Sequence, residues 1–298
     1  MFKKDIFFTG NFINTKAYYK NIKKTKKIYN SFLTDLKNSN IPLLESYKKN
    51  YNFDFSTRIV KKFSKHKNII IIGMGGSILG TKSIYSFFQK KIKKNLFFFD
   101  NLDPNLNLKF QKVKNLKNSC FIVVSKSGDT LETITNLGLL FSKSLLKNKL
   151  VIISEIRDSA LMSIANEYDA EIIEHKEFIS GRYSVLSESA MLPVSLMGLD
   201  SIKFKNLEKL IKDRNFISAL IQNVAAIYTF SSKKINNSVI LNYDSNLNDL
   251  GYWYQQLVAE SLGKKGKGIN PTISFCPRDH HSLLQLYLDG PKDKFFTF

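Results

Sequence analysis

Five short stretches of this chain carry the residue types that chemistry needs. NIIIIGMGGSILG (68–80) ends an apolar run in three close glycines, Gly73, Gly75 and Gly76, followed by Ser77. Glycines there let backbone approach a ligand, and the free amides of a helix start suit an anion. SKSGDTLET (125–133) follows the apolar run CFIVV and offers three hydroxyls, on Ser125, Ser127 and Thr130, with backbone amides around Lys126. That set suits a phosphate monoester dianion. A plainer reading competes, because Asp129 and Glu132 stand three apart as a variant of the capping box. On this loop alone the cradle and the cap stand level.

The other three stretches are weaker singly. ISGRYSVLSESAMLPVSL (179–196) sets Arg182 directly after a glycine and before a helix, yet a lone arginine is usually a surface or salt-bridging group. YQQLVAESLGKKGKG (254–268) sets Gln256 and Glu260 four apart on one helix face, where glutamate is mostly solvated. RDHHSLLQLYLDG (278–290) brings a histidine pair to a helix start, where one histidine could simply cap. A dinucleotide site is a further reading of the first loop. The third glycine position of GxGxxG falls on Ile78, however, while Asp100 at the end of the next strand could serve as the ribose acid.

Strands and helices alternate around these stretches. NIIIIG (68–73), LFFFD (96–100), CFIVVS (120–125), KLVIIS (149–154) and EIIEH (171–175) read as short apolar strands. Helices are expected at about 77–89, 105–113, 130–146 and 159–168. Apolar strands without alternation, separated by helices, predict a parallel sheet covered on both faces. Ligands in such sheets sit at the carboxyl ends of the strands, where both glycine loops fall. A helix-rich stretch (182–232) precedes a second alternation: strands at 237–243, 271–275 and 294–298, with helices at 247–263 and 280–290. The chain stops inside its last apolar run, so a missing final element is expected. Residues 1–50 read as a helical segment with Pro42 interrupting. The expected domains are 1–50, 51–181 and 182–298.

Composition excludes several classes. At 298 residues and 43 % hydrophobic content the chain is globular, with two medium cores the better expectation. No apolar run reaches the roughly 18 residues of a membrane span, and the start has no signal-peptide pattern. Cys120 and Cys276 lie in apolar strand-like runs and read as reduced core residues. Without CxxC, HExxH or a histidine–carboxylate cluster, no metal site is expected. The net charge of +20 raises nucleic acid as a partner. The lysines are nevertheless dispersed among Asn, Ile and Phe, and the densest run, KNIKKTKKIY (20–29), has the spacing of a solvated helix face.

Taken in order, GxGGSxLG, SKSxxTxET, SGRYSVLS, QLxxESxGKxGKG and HSxxQ resemble the glucose-6-phosphate isomerase (phosphoglucose isomerase) family, from about residue 68 to the end. The resemblance implies two doubly wound parallel-sheet sugar isomerase domains, α/β in class with helices on both faces, the second incomplete. It implies reversible isomerisation of glucose 6-phosphate and fructose 6-phosphate. Glu260 would be the base that shuttles a proton between C1 and C2, a task one carboxylate can perform on one face. Arg182 would stabilise the cis-enediolate, and His281 would open the sugar ring. Ser125, Lys126, Ser127 and Thr130 would hold the phosphate, with Gly76 and Ser77 lining the other side and Gln256 touching the sugar. The partners it implies are a hexose 6-phosphate and a second copy supplying His281 across a dimer interface. It implies no cofactor, metal, membrane or nucleic acid, and a cytoplasmic setting.

Two departures from the family qualify these expectations. Ser180 stands where the family has a glycine, which an ordinary backbone angle would tolerate. The family's catalytic lysine lies on a C-terminal helix beyond Phe298, so weak or no activity is expected of this form, and an open sheet edge at its last strand. Other readings of the same residues are a non-catalytic phosphosugar-binding module and an isomerase of a related sugar such as mannose 6-phosphate.

Overall fold

In the computed structural model, which describes residue 10, residues 12–139 and residues 146–298, the apolar run Asn68–Gly73 (β1) is buried at every position. Consecutive side chains of a strand point to opposite faces, so an all-apolar strand needs cover on both. Ile69 and Ile71 join Cys120, Ile122, Val151 and Ile153 on one face, under Phe63, Ile78 and Leu192. Ile70 and Ile72 join Phe121, Val123 and Ile152 on the other, under Leu137, Leu161 and Ala165. The sheet is therefore a doubly wound layer with helices on both sides.

That sheet is completed by Asn95–Phe99 (β2), Ser119–Val124 (β3), Leu150–Ser154 (β4) and Glu171–Glu174 (β5). All pairs are parallel, in the order β2-β1-β3-β4-β5. The winding reverses between β1 and β3, whose carboxyl ends Gly73 and Val124 are in register. Such a reversal opens a crevice for ligands above the strand ends. One face carries helices Thr57–Ser64, Gly76–Phe88 and Glu188–Leu196, the other Leu106–Gln111, Leu131–Gly138 and Ala160–Tyr168. The helix expected to reach Leu146 spans Leu131–Gly138, and residues 140–145 of that reading lie outside the described residues.

Two compact units share the chain. The first sheet, Asn50–Lys205 with Asn246–Leu257, forms one. The other takes the residues up to Lys49 with Asn206–Ser245 and Val258–Phe298. The boundary expected at 50 falls within one residue of the division at Lys49/Asn50, whereas the one expected at 181 lies inside the segment Asn50–Lys205. The residues before 50 join the second unit through the helix Lys16–Asn38, whose Tyr18 is buried against Ala225 and Ala226 of the helix Arg214–Ser231. A 5-residue helix, Glu208–Lys212, leads into Arg214–Ser231. Lys20, Lys23, Lys24, Lys26 and Lys27 face solvent along Lys16–Asn38, as the helical spacing of that basic run predicted.

The second unit also holds three parallel strands, Asn237–Asn242 (β6), Asn270–Phe275 (β7) and Lys294–Thr297 (β8), in the order β7-β6-β8. Its helix His280–Asp289 lies between β7 and β8 in the chain, and Tyr287 packs against Val239, Leu241 and Cys276. Both cysteines are free and buried, as read from the sequence. Among the described residues no helix is long and apolar enough to cross a membrane.

Candidate active site

The loop after β1 enters its helix through Gly75, whose φ of 52° lies in the left-handed region that favours glycine. A Cβ on Gly75 would come within 2.9 Å of the Gln256 amide nitrogen. A Cβ on Gly76 would overlap the peptide group joining Gly181 to Arg182. The glycine pair therefore serves close approach on two sides, and three of the five stretches meet there. Ser184 tightens the junction by donating its hydroxyl to the carbonyls of Gly76 (3.2 Å) and Gly181 (2.8 Å). Ser77 begins the helix with its amide on the Met74 carbonyl.

Ile78, at the third glycine position of the dinucleotide pattern, is fully buried in the core. Asp100, the candidate ribose acid, is held by Lys82 at 2.6 Å. The one residue that supported the dinucleotide reading, Asp100, is thus engaged by a lysine.

The loop after β3 leaves the neighbouring strand end. Ser125 is buried, and its Oγ lies 2.8 Å from the Thr130 hydroxyl and accepts from the Gly128 amide at 3.2 Å. The Ser127 hydroxyl accepts from the Asp129 amide. Gly128, at φ 76°, presses on Ser159 so closely that a Cβ would collide with it. Lys126 sends its ammonium to the Glu177 carbonyl (2.6 Å) and to Glu155 (3.4 Å), and its carbonyl accepts from the Glu155 amide at 3.0 Å.

The capping box suggested by Asp129 and Glu132 does not form. The helix Leu131–Gly138 starts at Thr130 without a side-chain cap. The Asp129 carboxylate instead accepts from the Ala160 amide at 2.9 Å and from Arg157 at 3.2 Å. Arg157 also donates to the Ser127 carbonyl at 2.7 Å, which ties the loop from behind. Asp129 therefore faces away from the hydroxyls of Ser125 and Ser127, as a dianion at those hydroxyls requires.

Arg182 sits in a short 3-10 turn, Gly181–Leu186, with its guanidinium on the Ser180 hydroxyl (3.2 Å) and over the Tyr183 ring. Ser180 has φ −72° and ψ 145°, ordinary extended backbone, so the missing glycine costs nothing there. Gln256 and Glu260 lie on the helix Asn248–Leu262, one turn apart, with Glu260 exposed. In the second unit His281 is exposed in the first turn of its helix, while the His280 ring is taken by the Tyr243 hydroxyl at 3.2 Å. The contacts thus bring Gly76 against the Gly181–Arg182 peptide, Gly75 against Gln256, and Ser125 to Thr130; Glu260 and His281 belong to the other compact unit.

Residues that no motif signalled support the site. The Trp253 indole N–H donates to the Arg182 carbonyl at 3.2 Å. At the start of the next helix, Glu188 is buried to 1 % exposure, accepting from the Tyr51 hydroxyl (2.9 Å) and the Asp54 amide (3.2 Å). Lys205, equally buried, lies 4.0 Å from the Tyr51 ring centre and 4.4 Å from that of Phe53. Burial raises the Glu188 carboxyl above its ordinary range and lowers the Lys205 ammonium to about 8, against the opposing pull of Glu188 on Lys205.

The sequence profile described as phosphoglucose isomerase matches residues 57–275. A glucose-6-phosphate isomerase of Methanocaldococcus jannaschii is 37 % identical over 248 residues, 80 % of this chain and 61 % of the relative. One of Campylobacter jejuni is 31 % identical over 258 residues, 82 % of this chain and 63 % of the relative. The chain thus spans about three fifths of the length of these curated relatives. Among solved structures, a hypothetical protein from Thermus thermophilus superposes with a TM-score of 0.74 at 21 % identity, covering 94 % of this chain and 71 % of that one. A glucose-6-phosphate isomerase from Chlamydia trachomatis gives 0.64 at 21 % identity, with 78 % and 50 % covered. Both superpositions share the α/β fold.

Proposed function

Because the chain belongs to the phosphoglucose isomerase family, we propose that it interconverts glucose 6-phosphate and fructose 6-phosphate through a cis-enediolate. The observation that carries the reading is the close approach of Gly76 to the Gly181–Arg182 peptide and of Gly75 to Gln256, beside the switch point between β1 and β3. The loop of Ser125, Ser127 and Thr130, with Asp129 turned outward, supports phosphate binding at the adjoining strand end.

In this reading the open-chain sugar lies with its phosphate over the β3 loop. Glu260, one turn beyond Gln256 on the same helix, takes the proton from C2 of the aldose. The electron pair forms the C1–C2 double bond, and Arg182 balances the charge left on oxygen. A proton passes from O2 to O1, and returning the first proton to C1 gives the ketose. His281 assists ring opening and comes from the second copy of a homodimer in a cytoplasmic enzyme. Neither a metal nor a nucleotide is required, since the reaction is an internal proton transfer.

Incubation with fructose 6-phosphate in D2O tests this directly. Deuterium should enter C1, and Glu260→Gln should abolish its entry while leaving binding by calorimetry in place. Binding without deuterium entry would favour a phosphosugar-binding module. Neither binding nor entry would sink the proposal.

A further inference from the structure

The helix Asn248–Leu262 presents Asp249, Trp253 and Gln256 on one face, spaced i, i+4 and i+7. An amphipathic helix ordinarily buries apolar side chains on such a stripe, and here each position makes a polar or close tie to a different segment. Asp249 accepts from the Ser86 hydroxyl and lies 3.8 Å from the Lys82 ammonium, which is itself held by Asp100. Trp253 donates to the Arg182 carbonyl. Gln256 closes on Gly75.

The Gly181–Arg182 stretch is therefore clamped. Gly76 abuts the peptide that joins the two residues, and the indole N–H takes the carbonyl of the second. A guanidinium is aimed by its own main chain, so fixing that carbonyl limits where the side chain can point. We infer that Trp253 is a positioning residue for Arg182, acting through the backbone without touching substrate, with Asp249 anchoring the helix that carries it. The inference rests on the isomerase reading, in which Arg182 must meet charge that develops only in the transition state.

The chain has one tryptophan, so its indole proton gives a single resonance that reports this tie. In the unsubstituted chain that proton should exchange with D2O at least about tenfold more slowly than in a free indole, as a held donor does. Asp249→Asn should speed its exchange. Trp253→Phe keeps an aromatic ring and removes the donor. It should slow deuterium entry at C1 by about ten- to a hundredfold, the scale of a small misplacement, with binding of fructose 6-phosphate within about threefold. The melting temperature should fall by no more than about 4 °C, the effect of one hydrogen bond. An unprotected indole proton overturns the inference. So does a Trp253→Phe chain that keeps its full rate, or loses rate only in step with affinity or melting temperature. If the unsubstituted chain moves no deuterium at all, the isomerase reading is what fails, and protection of the indole proton still decides the tie to Arg182.

Discussion

The Asp129 carboxylate caps the helix that begins at Ala160, 31 residues along the chain, and turns its back on the hydroxyls beside it. Its second oxygen meets Arg157, which also holds the Ser127 carbonyl. The acid in the loop after β3 is thus a structural group. Asp129→Ala should cost about 1 kcal/mol, as the loss of a helix-capping acceptor does, and lower the melting temperature by about 2–4 °C. Affinity for a sugar phosphate should stay within about threefold, since no ligand contact is removed. A loss of affinity without a loss of stability, measured by calorimetry and thermal melting, would mean that Asp129 faces the ligand after all.

Gly76 bears a heavier constraint than its neighbours, because the peptide between Gly181 and Arg182 fills the place of its Cβ. Backbone cannot swing aside as a side-chain tip can. Gly76→Ala should therefore push the arginine turn away from the loop, at a cost of roughly 1–3 kcal/mol for overpacking. Sugar phosphate affinity and deuterium entry at C1 should both fall more than about tenfold, the scale expected when a bound charge is displaced. Gly181→Ala is the matching control, since nothing lies within 4 Å of its Cβ position. Equal behaviour of the two variants would contradict the close approach.

Strand ends and glycine loops were legible in the sequence because their physics is local. A run such as NIIIIG is buried on both faces whatever surrounds it, and β1 occupies the same residues, 68–73. Three glycines in four residues needed an explanation that one helix cap did not supply, and two of them prove to be sites of close approach. The remainder depends on contacts between residues far apart in the chain. Nothing near Asp129 says which helix it caps, because the amide it meets belongs to Ala160. The partner of Trp253 stands 71 residues away, and those of Glu188 stand 137 and 134 away.

The buried group of Tyr51, Glu188 and Lys205 sets a pH dependence. Desolvation holds Lys205 at about 8, below its ordinary 10.5, so folding disfavours its charged form. Between those two values the unfolded chain keeps a proton that the folded chain has released, and this residue's contribution to stability rises with pH. Below about 8 both states are protonated and the penalty is complete. The difference in unfolding free energy between the unsubstituted chain and Lys205→Met should therefore move in favour of the unsubstituted chain from pH 7.5 to 9.5, by about 1–2 kcal/mol. At pH 7 Lys205→Met alone should destabilise by about 3 kcal/mol, because it strands Glu188, and adding Glu188→Gln should recover most of that loss. Denaturant melts of these three chains and of Glu188→Gln alone, at three pH values, measure the cycle; a difference that stays flat with pH would show that Lys205 is not desolvated.

Ser125 is the hydroxyl on which the phosphate reading leans hardest. It is 2 % exposed, holds Thr130 at 2.8 Å and takes the Gly128 amide, so its oxygen links both ends of the loop. A hydroxyl placed only to close the loop and one placed to meet a dianion differ in what its loss does to ligands of different charge. Ser125→Ala should weaken fructose 6-phosphate about ten- to a hundredfold, the worth of a hydrogen bond to a charged group. Unphosphorylated fructose should bind both chains alike. The effect should shrink as ionic strength rises, since the lost contact is with a dianion in a partly open crevice. Calorimetry with the two sugars at low and high salt separates these outcomes. Equal weakening for both sugars, independent of salt, would leave Ser125 as a loop-closing residue and remove the phosphate from this strand end.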